Sequence, residues 1–387
     1  MIPLKYNVRN LRVRRVTTAL TVLGTGLLVW ASCLLFGMVE SLQHTQSVSG
    51  DPLDLLILRK GSSNETTGGF AGKVADEILT LEGIARDEGG APLGAPELLN
   101  IALAEAHSGG RTNIIVRGVS PASPKLRRNF QVVQGRYLEP GKGECIVSRN
   151  LASRFKGSNL GGTLRVGEKE SYRVVGLFTS GGTAAESEVW VDIADLRRNT
   201  AREDTVSSVQ LRATSVPAME SLMSRLDRED RFKLAALRES EYYAQQSKTS
   251  LFLKVAGSLI AVLLTVGAMF AAANTMYAAV SSRTREIGTM RALGFSRFDI
   301  LVSFLFESVL LCVLGGVLGL LAMLPMSALK VGFTDFNSFA DQTLSFRMGP
   351  LVMAVAVTMT LAMGVFGGLF PALRAVRLDV IRALREL

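Results

Sequence analysis

Histidine and cysteine are scarce: the 387 residues hold only His44 and His107, and Cys33, Cys145 and Cys312. Neither histidine has a Cys or His companion at metal-ligand spacing, which argues against a zinc site. Neither sits with a nucleophile-elbow motif, which argues against a Ser/His/Asp centre. Cys145 is the one cysteine outside the long apolar runs, so the large polar segment has no disulfide of its own. No stretch fits the phosphate-cradling pattern G-x-x-x-x-G-K-[ST]. Gly72-Lys73 and Gly141-Lys142 lack both the upstream glycine and the following hydroxyl residue. The expectation is a non-catalytic chain with no metal and no cofactor of its own.

Charge is absent from four runs, Val16 to Val39, Val255 to Ser282, Ser308 to Leu329 and Met348 to Leu373, each long enough to cross a bilayer. The net charge of +9 is confined to their flanks. Residues 1–15 carry five basic and no acidic side chains, while 283–299 and 374–387 each carry four basic and two acidic ones. The segment 40–254 is close to neutral, with 28 basic and 27 acidic residues. By the positive-inside rule both termini and 283–299 are cytoplasmic, and 40–254 is extracytoplasmic. A nucleic-acid partner is not expected, because phosphate binding would gather the excess on one folded face. The first apolar run is too long for a cleaved leader and lacks a small-x-small site.

The predicted order is an interfacial helix or plain basic flank at 1–15, then a span at 16–39. The external domain at 40–254 follows, then spans at 255–282, 300–329 and 348–373, separated by a cytoplasmic helix at 283–299 and a short external loop at 330–347 with little room to fold. Within the external domain, strands at 54–58, 98–105, 113–119, 206–213 and 232–237 and helices at 70–81 and 218–227 suggest two βαβ-like halves. Short strands separated by glycine-rich turns mark a β-rich insertion at 121–205. Residues 238–254, without Pro or Gly, read as a helical stalk running into the second span. The fold class is an α-helical membrane protein with four transmembrane helices and a large α/β extracytoplasmic domain.

Small residues at close-packing spacing, Gly315 and Gly319 in the third span and Gly364 and Gly368 in the fourth, are read as helix-packing sites, as are Gly267, Ala268 and Ala272 in the second. Glu307 is the one charge inside a span; it either reaches the interface or pairs with a basic residue of 283–299. Asn274 is expected to bond a neighbouring helix. In the cytoplasmic segment Ile287, Met290 and Leu293 form a narrow apolar stripe with Arg285, Glu286 and Arg291 off it, and Gly294 is placed to end the helix in a left-handed cap. Such a helix suits docking into a partner's groove.

The stretch Ala273-Asn-Thr-Met-Tyr-Ala-Ala-Val-Ser-Ser-Arg-Thr-Arg-Glu-Ile-Gly-Thr-Met-Arg-Ala-Leu-Gly-Phe-Ser-Arg297 closely resembles the coupling region of MacB/FtsX-type ABC permeases. The beginning, Asn10 to Gly24, the end, Pro371 to Arg385, and the order of one span, an external domain and three more spans are similar to the same family. The resemblance implies a dimeric permease, pairing with a second copy or a paralogue, that works with a cytoplasmic ABC ATPase on a separate chain; ATP and Mg would belong to that ATPase. It implies that Glu286, Ile287, Gly288, Arg291, Ala292, Leu293 and Gly294 contact the ATPase, with Arg285 and Met290 in the same helix, and that the external lobes are porter-like with a β-rich insertion. It also implies mechanical coupling to external movement, for efflux or envelope transfer of a lipid, peptide or small molecule. A periplasmic adaptor, an outer-membrane channel and membrane lipid are the further partners it suggests. A sensor permease and a regulator of cell-wall hydrolases are the alternatives.

Overall fold

The computed structural model describes residues 15–168, 170–229, 231–246, 248–327, 329–334 and 341–377. The expected helix at 1–15 and the tail from 378 onward lie outside them. Two compact units are present, one holding the long apolar helices and the other most of the mixed α/β segment.

In chain order the elements are helix α1 (Arg15–Ser49), strand β1 (Asp54–Arg59), helix α2 (Gly72–Leu79), and strands β2 (Gly94–Glu105), β3 (Arg111–Val119), β4 (Phe130–Gly135), β5 (Glu144–Ser148), β6 (Thr163–Val166), β7 (Glu170–Ser180) and β8 (Glu188–Asp192). Helix α3 (Ile193–Asn199), strand β9 (Ser208–Arg212), helix α4 (Val216–Arg228), strand β10 (Leu234–Arg238) and helices α5 (Glu239–Gln246), α6 (Lys248–Ser281), α7 (Thr284–Ala292) and α8 (Arg297–Met326) follow. Strands β11 (Lys330–Thr334) and β12 (Asp341–Ser345) and helix α9 (Pro350–Val376) complete the described elements.

The α/β unit is built on one ten-stranded sheet in the order β10-β1-β9-β2-β3-β8-β5-β7-β4, with β6 added to β7. Its first four strands are antiparallel to their neighbours. Strand β9 separates β1 from β2, and β1 separates β9 from β10, so the two predicted βαβ-like halves interlock as a split βαβ pair. Apolar runs explain the burial. Leu55 and Ile57 of β1 face a core shared with Ile78 of α2 and Met219, Leu222 and Leu226 of α4. Helix α4 starts where the Ser215 hydroxyl accepts the Ala218 amide, with proline in its first turn. Phe70–Ala71 is a short strand paired with 205–206, so the helix predicted at 70–81 begins only at Gly72.

The predicted insertion at 121–205 starts too late. Residues 94–97 of β2 pair with β9, but 98–105 pair with β3, so the second lobe's sheet opens inside β2. Its core gathers Ile114, Val116, Val147, Phe155, Tyr172 and Val189. Beside it Phe130 stacks on Trp190 at 4.9 Å between ring centroids, with Phe178 against both. The 330–347 loop, expected to hold little structure, contains the two-stranded sheet β11-β12. The stalk expected at 238–254 is α5 and the start of α6, on either side of residue 247, which is not described; Arg238 ends β10 instead.

Four helices, Arg15–Ser49, Lys254–Ser281, Arg297–Met326 and Pro350–Val376, are long and apolar enough to cross a membrane. Close approach at glycine holds them together. A Cβ at Gly319 would lie 2.6 Å from the Gly26 carbonyl oxygen, and one at Gly315 would overlap the Thr25 hydroxyl, so α8 and α1 meet there. Gly364 and Gly368 admit Val309 and Ser308 of α8, at 2.8 Å and 2.5 Å from the same added atom. Ala268 and Ala272 are buried, and Ala272 meets Gly367 of α9. Gly267, by contrast, faces open space, with nothing among the described residues within 4 Å of an added Cβ.

Candidate functional site

Between α6 and α8 the chain makes a capped nine-residue helix, α7. Its end is a Schellman arrangement: Phe295 N–H donates to the Met290 carbonyl and Gly294 N–H to that of Arg291, each at 3.2 Å, with Gly294 at φ +92°. Helix α8 then starts at once, through a capping box in which Ser296 and Asp299 satisfy each other's amides. This explains why the expected cytoplasmic helix at 283–299 is split: Gly294 stops one helix and Ser296 starts the next. The third helix accordingly begins at Arg297 rather than near Ile300.

Two of the three residues of the predicted apolar stripe, Ile287 and Met290, face inward, and the third, Leu293, faces outward. Ile287 is 1% exposed and packs with Met276, Val280, Ile300, Phe304, Ala372 and Ala375, and Met290 leans on the same cluster. Gly288 is buried as well. Ile287 and Met290 seat α7 on the ends of α6, α8 and α9, since burying them there removes apolar surface from water. Arg291 is also partly used internally, its Nη1 donating to the Val376 carbonyl at 3.4 Å, where a cation suits a helix C-terminus. Arg285, Glu286, Ala292, Leu293 and Gly294 remain outward, with Leu293 75% exposed. Phe298, absent from the predicted set, stands beside them at 68% exposure.

Glu307 is buried and pairs with Arg283, whose Nη1 lies 3.0 Å from its Oε2. The Arg283 guanidinium also reaches Glu286 at 3.2 Å and stands 5.5 Å from the centre of the Phe304 ring. Arg283 was not singled out in the sequence; the buried acid 24 residues on was its only signal. Asn274 is exposed on α6, and the helix-to-helix hydrogen bond expected of it is not made among the described residues.

A second polar cluster is buried in the α/β unit, and its members are too scattered in sequence to be seen there. Arg117 of β3 grips Glu188 of β8 with two nitrogens, at 2.7 and 2.6 Å, and reaches Glu97 of β2 at 2.6 Å and Glu65 at 3.0 Å. Arg127 adds a bond to Glu97 at 2.8 Å, the Ser208 hydroxyl donates to Glu65, and the Trp190 indole donates to Glu188. Burial works against the Glu65 charge, but the Arg117 guanidinium outweighs it and holds the carboxyl below its usual range. Burial opposes the Arg117 charge too, and Glu188, Glu65 and Glu97 raise its pKa well above normal. The cluster ties β2, β3 and β8 to the β1–α2 connection and so joins the two lobes. Its three carboxylates converge on a guanidinium, and among the described residues no His, Cys, Asp or Glu group is arranged to hold a metal ion.

Four apolar helices, an α/β domain inserted after the first of them and a short capped helix between the second and third define a membrane permease with an external domain. Residues 18–229 match the MacB-like periplasmic core domain and residues 258–380 the FtsX-like permease C-terminal region. The chain belongs to the MacB/FtsX-type ABC permeases. The macrolide export ATP-binding/permease protein MacB of Bordetella avium is 28% identical over 289 residues, 70% of this chain and 43% of the relative. That of Bdellovibrio bacteriovorus is 26% identical over 300 residues, 70% and 44% respectively. The chain thus spans less than half the length of these relatives. Among solved structures, the extracellular domain of the ABC-type transporter YknZ from Gram-positive bacteria is 18% identical, with a TM-score of 0.38, covering 48% of this chain and 99% of that one. The periplasmic region of MacB from Actinobacillus actinomycetemcomitans is 11% identical, with a TM-score of 0.39, covering 52% and 95%.

Proposed function

We propose that this permease converts ATP hydrolysis by a cytoplasmic ABC ATPase into movement of its periplasmic α/β domain, and so drives export or envelope transfer of a small molecule, lipid or peptide. The observation that carries the reading is the geometry of α7. One face is locked to the membrane helices through Ile287 and the Arg283–Glu307 pair, and the other presents Arg285, Glu286, Ala292, Leu293 and Gly294. A helix seated on one side and open on the other suits force transfer from a docked protein. ATP and Mg would be held by the ATPase, both termini would be cytoplasmic, and α5 with α6 would relay the motion. A second copy or a paralogue completes the permease, and an adaptor with an outer-membrane channel extends the route outward. The macrolide-export names of the relatives favour a small apolar cargo.

The test is ATP hydrolysis by the ABC ATPase reconstituted with the permease in liposomes. Glu286→Lys and Leu293→Asp should each abolish the permease's stimulation of hydrolysis while insertion and folding stay normal. Unchanged stimulation by both variants removes the docking assignment.

A further inference from the structure

The membrane unit carries a slot of about 420 Å³ between α1, α6 and α9, walled by Phe36, Val262, Val266, Ala354, Met359 and Ala362. Its wall is mostly apolar, and two of the three hydroxyl residues that line it, Ser258, Thr265 and Thr358, are bonded back to their own helix. Ser258 donates back to the Lys254 carbonyl at 2.7 Å, and Thr265 to that of Ala261 at 2.6 Å. Along α6 it runs from Ser258 to Val266 and along α9 from Ala354 to Ala362, about 12 Å at helical rise. That is close to the hydrocarbon depth of one leaflet, half of about 30 Å.

An extended hydrocarbon chain matches the slot's length of about 12 Å and its apolar wall. The rim is basic. Lys254 lies one turn before Ser258 on the same face of α6. Arg347 is exposed, its amide donating to the Gly37 carbonyl at 3.4 Å, next to the slot's Phe36. Neither makes an ion pair among the described residues. The acidic group at this end, Glu40, has its carboxylate turned onto the amides of Leu351 and Val352.

We propose that this slot binds one acyl chain of an anionic phospholipid, whose phosphate is held by Lys254 and Arg347. The site is independent of the coupling assignment. It selects lipid by charge at the rim and by the apolar wall of the groove.

Native mass spectrometry of the full chain, equilibrated in detergent with phosphatidylglycerol or phosphatidylcholine of the same acyl chains, tests it. Phosphatidylglycerol should be retained in preference, and Lys254→Gln and Arg347→Gln should each reduce that preference about fivefold. Ala354→Phe, which fills the slot, should reduce retention of both lipids. Equal retention in all these variants overturns the proposal, as does displacement of the lipid by inorganic phosphate. So does a Val262→Cys disulfide between two chains that forms and expels lipid. Leu293→Asp should leave lipid retention unchanged, so failure of the coupling assignment is read separately.

Discussion

The Glu40 carboxylate, near the end of the first span, caps the start of the fourth: Val352 donates to its Oε2 at 3.2 Å and Leu351 to its Oε1 at 3.4 Å. A helix N-terminus leaves amides unpaired and carries partial positive charge, and here the cap comes from more than 300 residues away. Gly349 is needed beside it, since a Cβ there would overlap the carboxylate. Glu40→Ala should lower the stability of the membrane unit by about 1 kcal/mol, and Glu40→Gln by less, measured by thermal unfolding in detergent. Gly349→Ala should show a loss of its own by displacing the same carboxylate.

Removing one member of the Arg283–Glu307 pair strands the other in a buried site. Arg283→Met should cost about 3 to 5 kcal/mol, whereas Arg283→Met with Glu307→Met should recover most of that loss. Thermal unfolding of the three proteins separates the cost of an orphaned charge from the worth of the pair. ATPase stimulation by the double variant then reports whether the lock is needed for coupling.

Two residues of the same predicted stripe should respond in opposite ways. Ile287→Asp places a charge in a closed apolar cluster and should destabilise the protein by about 3 kcal/mol or more. Leu293→Asp should change stability by less than about 0.5 kcal/mol and lose only ATPase stimulation. Unfolding curves and hydrolysis rates on both variants check the assignment of inner and outer faces.

Glu239, at the start of α5, is pushed by burial to a pKa of about 8, with Arg127 opposing and Asp54 adding to the rise. Its Oε1 accepts from Gln210 at 2.9 Å and its Oε2 from the Asp51 amide at 3.2 Å. The folded state therefore holds a proton that the unfolded state gives up near 4.5. This group's contribution is fully present below about pH 4.5 and is lost as the pH rises through about 8. The full-length protein should melt lower at about pH 8 than at about pH 5, and Glu239→Gln should flatten that difference.

Much of the fold was legible because spans, strands and their order are written in local patterns. The uncharged runs mark the four long helices, and the glycine pairs mark where α8 meets α1 and α9. Gly294 announced its left-handed cap through residue type alone. What failed was the direction of a face. Ile287, Met290 and Leu293 share a period, but which way it points is set by Ile300, Phe304 and Ala372, which are distant or on other helices. Arg117 was hidden for the same reason. The strand predicted at 113–119 carries it as one charge beside Ile114, Ile115 and Val116, and Glu65, Glu97 and Glu188 lie 52, 20 and 71 residues away. The late start predicted for the β-rich lobe has another cause: one strand, β2, serves two neighbours in succession, and nothing in its composition changes at residue 98.

Among the described residues strand β1 has neighbours only from the far end of its domain, β9 and β10. A ribosome must therefore add about 180 residues after Asp54 before the first strand can be flanked on both sides. The second lobe is already synthesised by then and can close early on its own hairpin of β2 and β3. Long-range pairing of this kind slows folding and leaves a hydrophobic segment waiting. For the interval between synthesis of Leu58 and of Leu234, the Leu-Leu-Ile-Leu run of β1 lacks its complete set of partners.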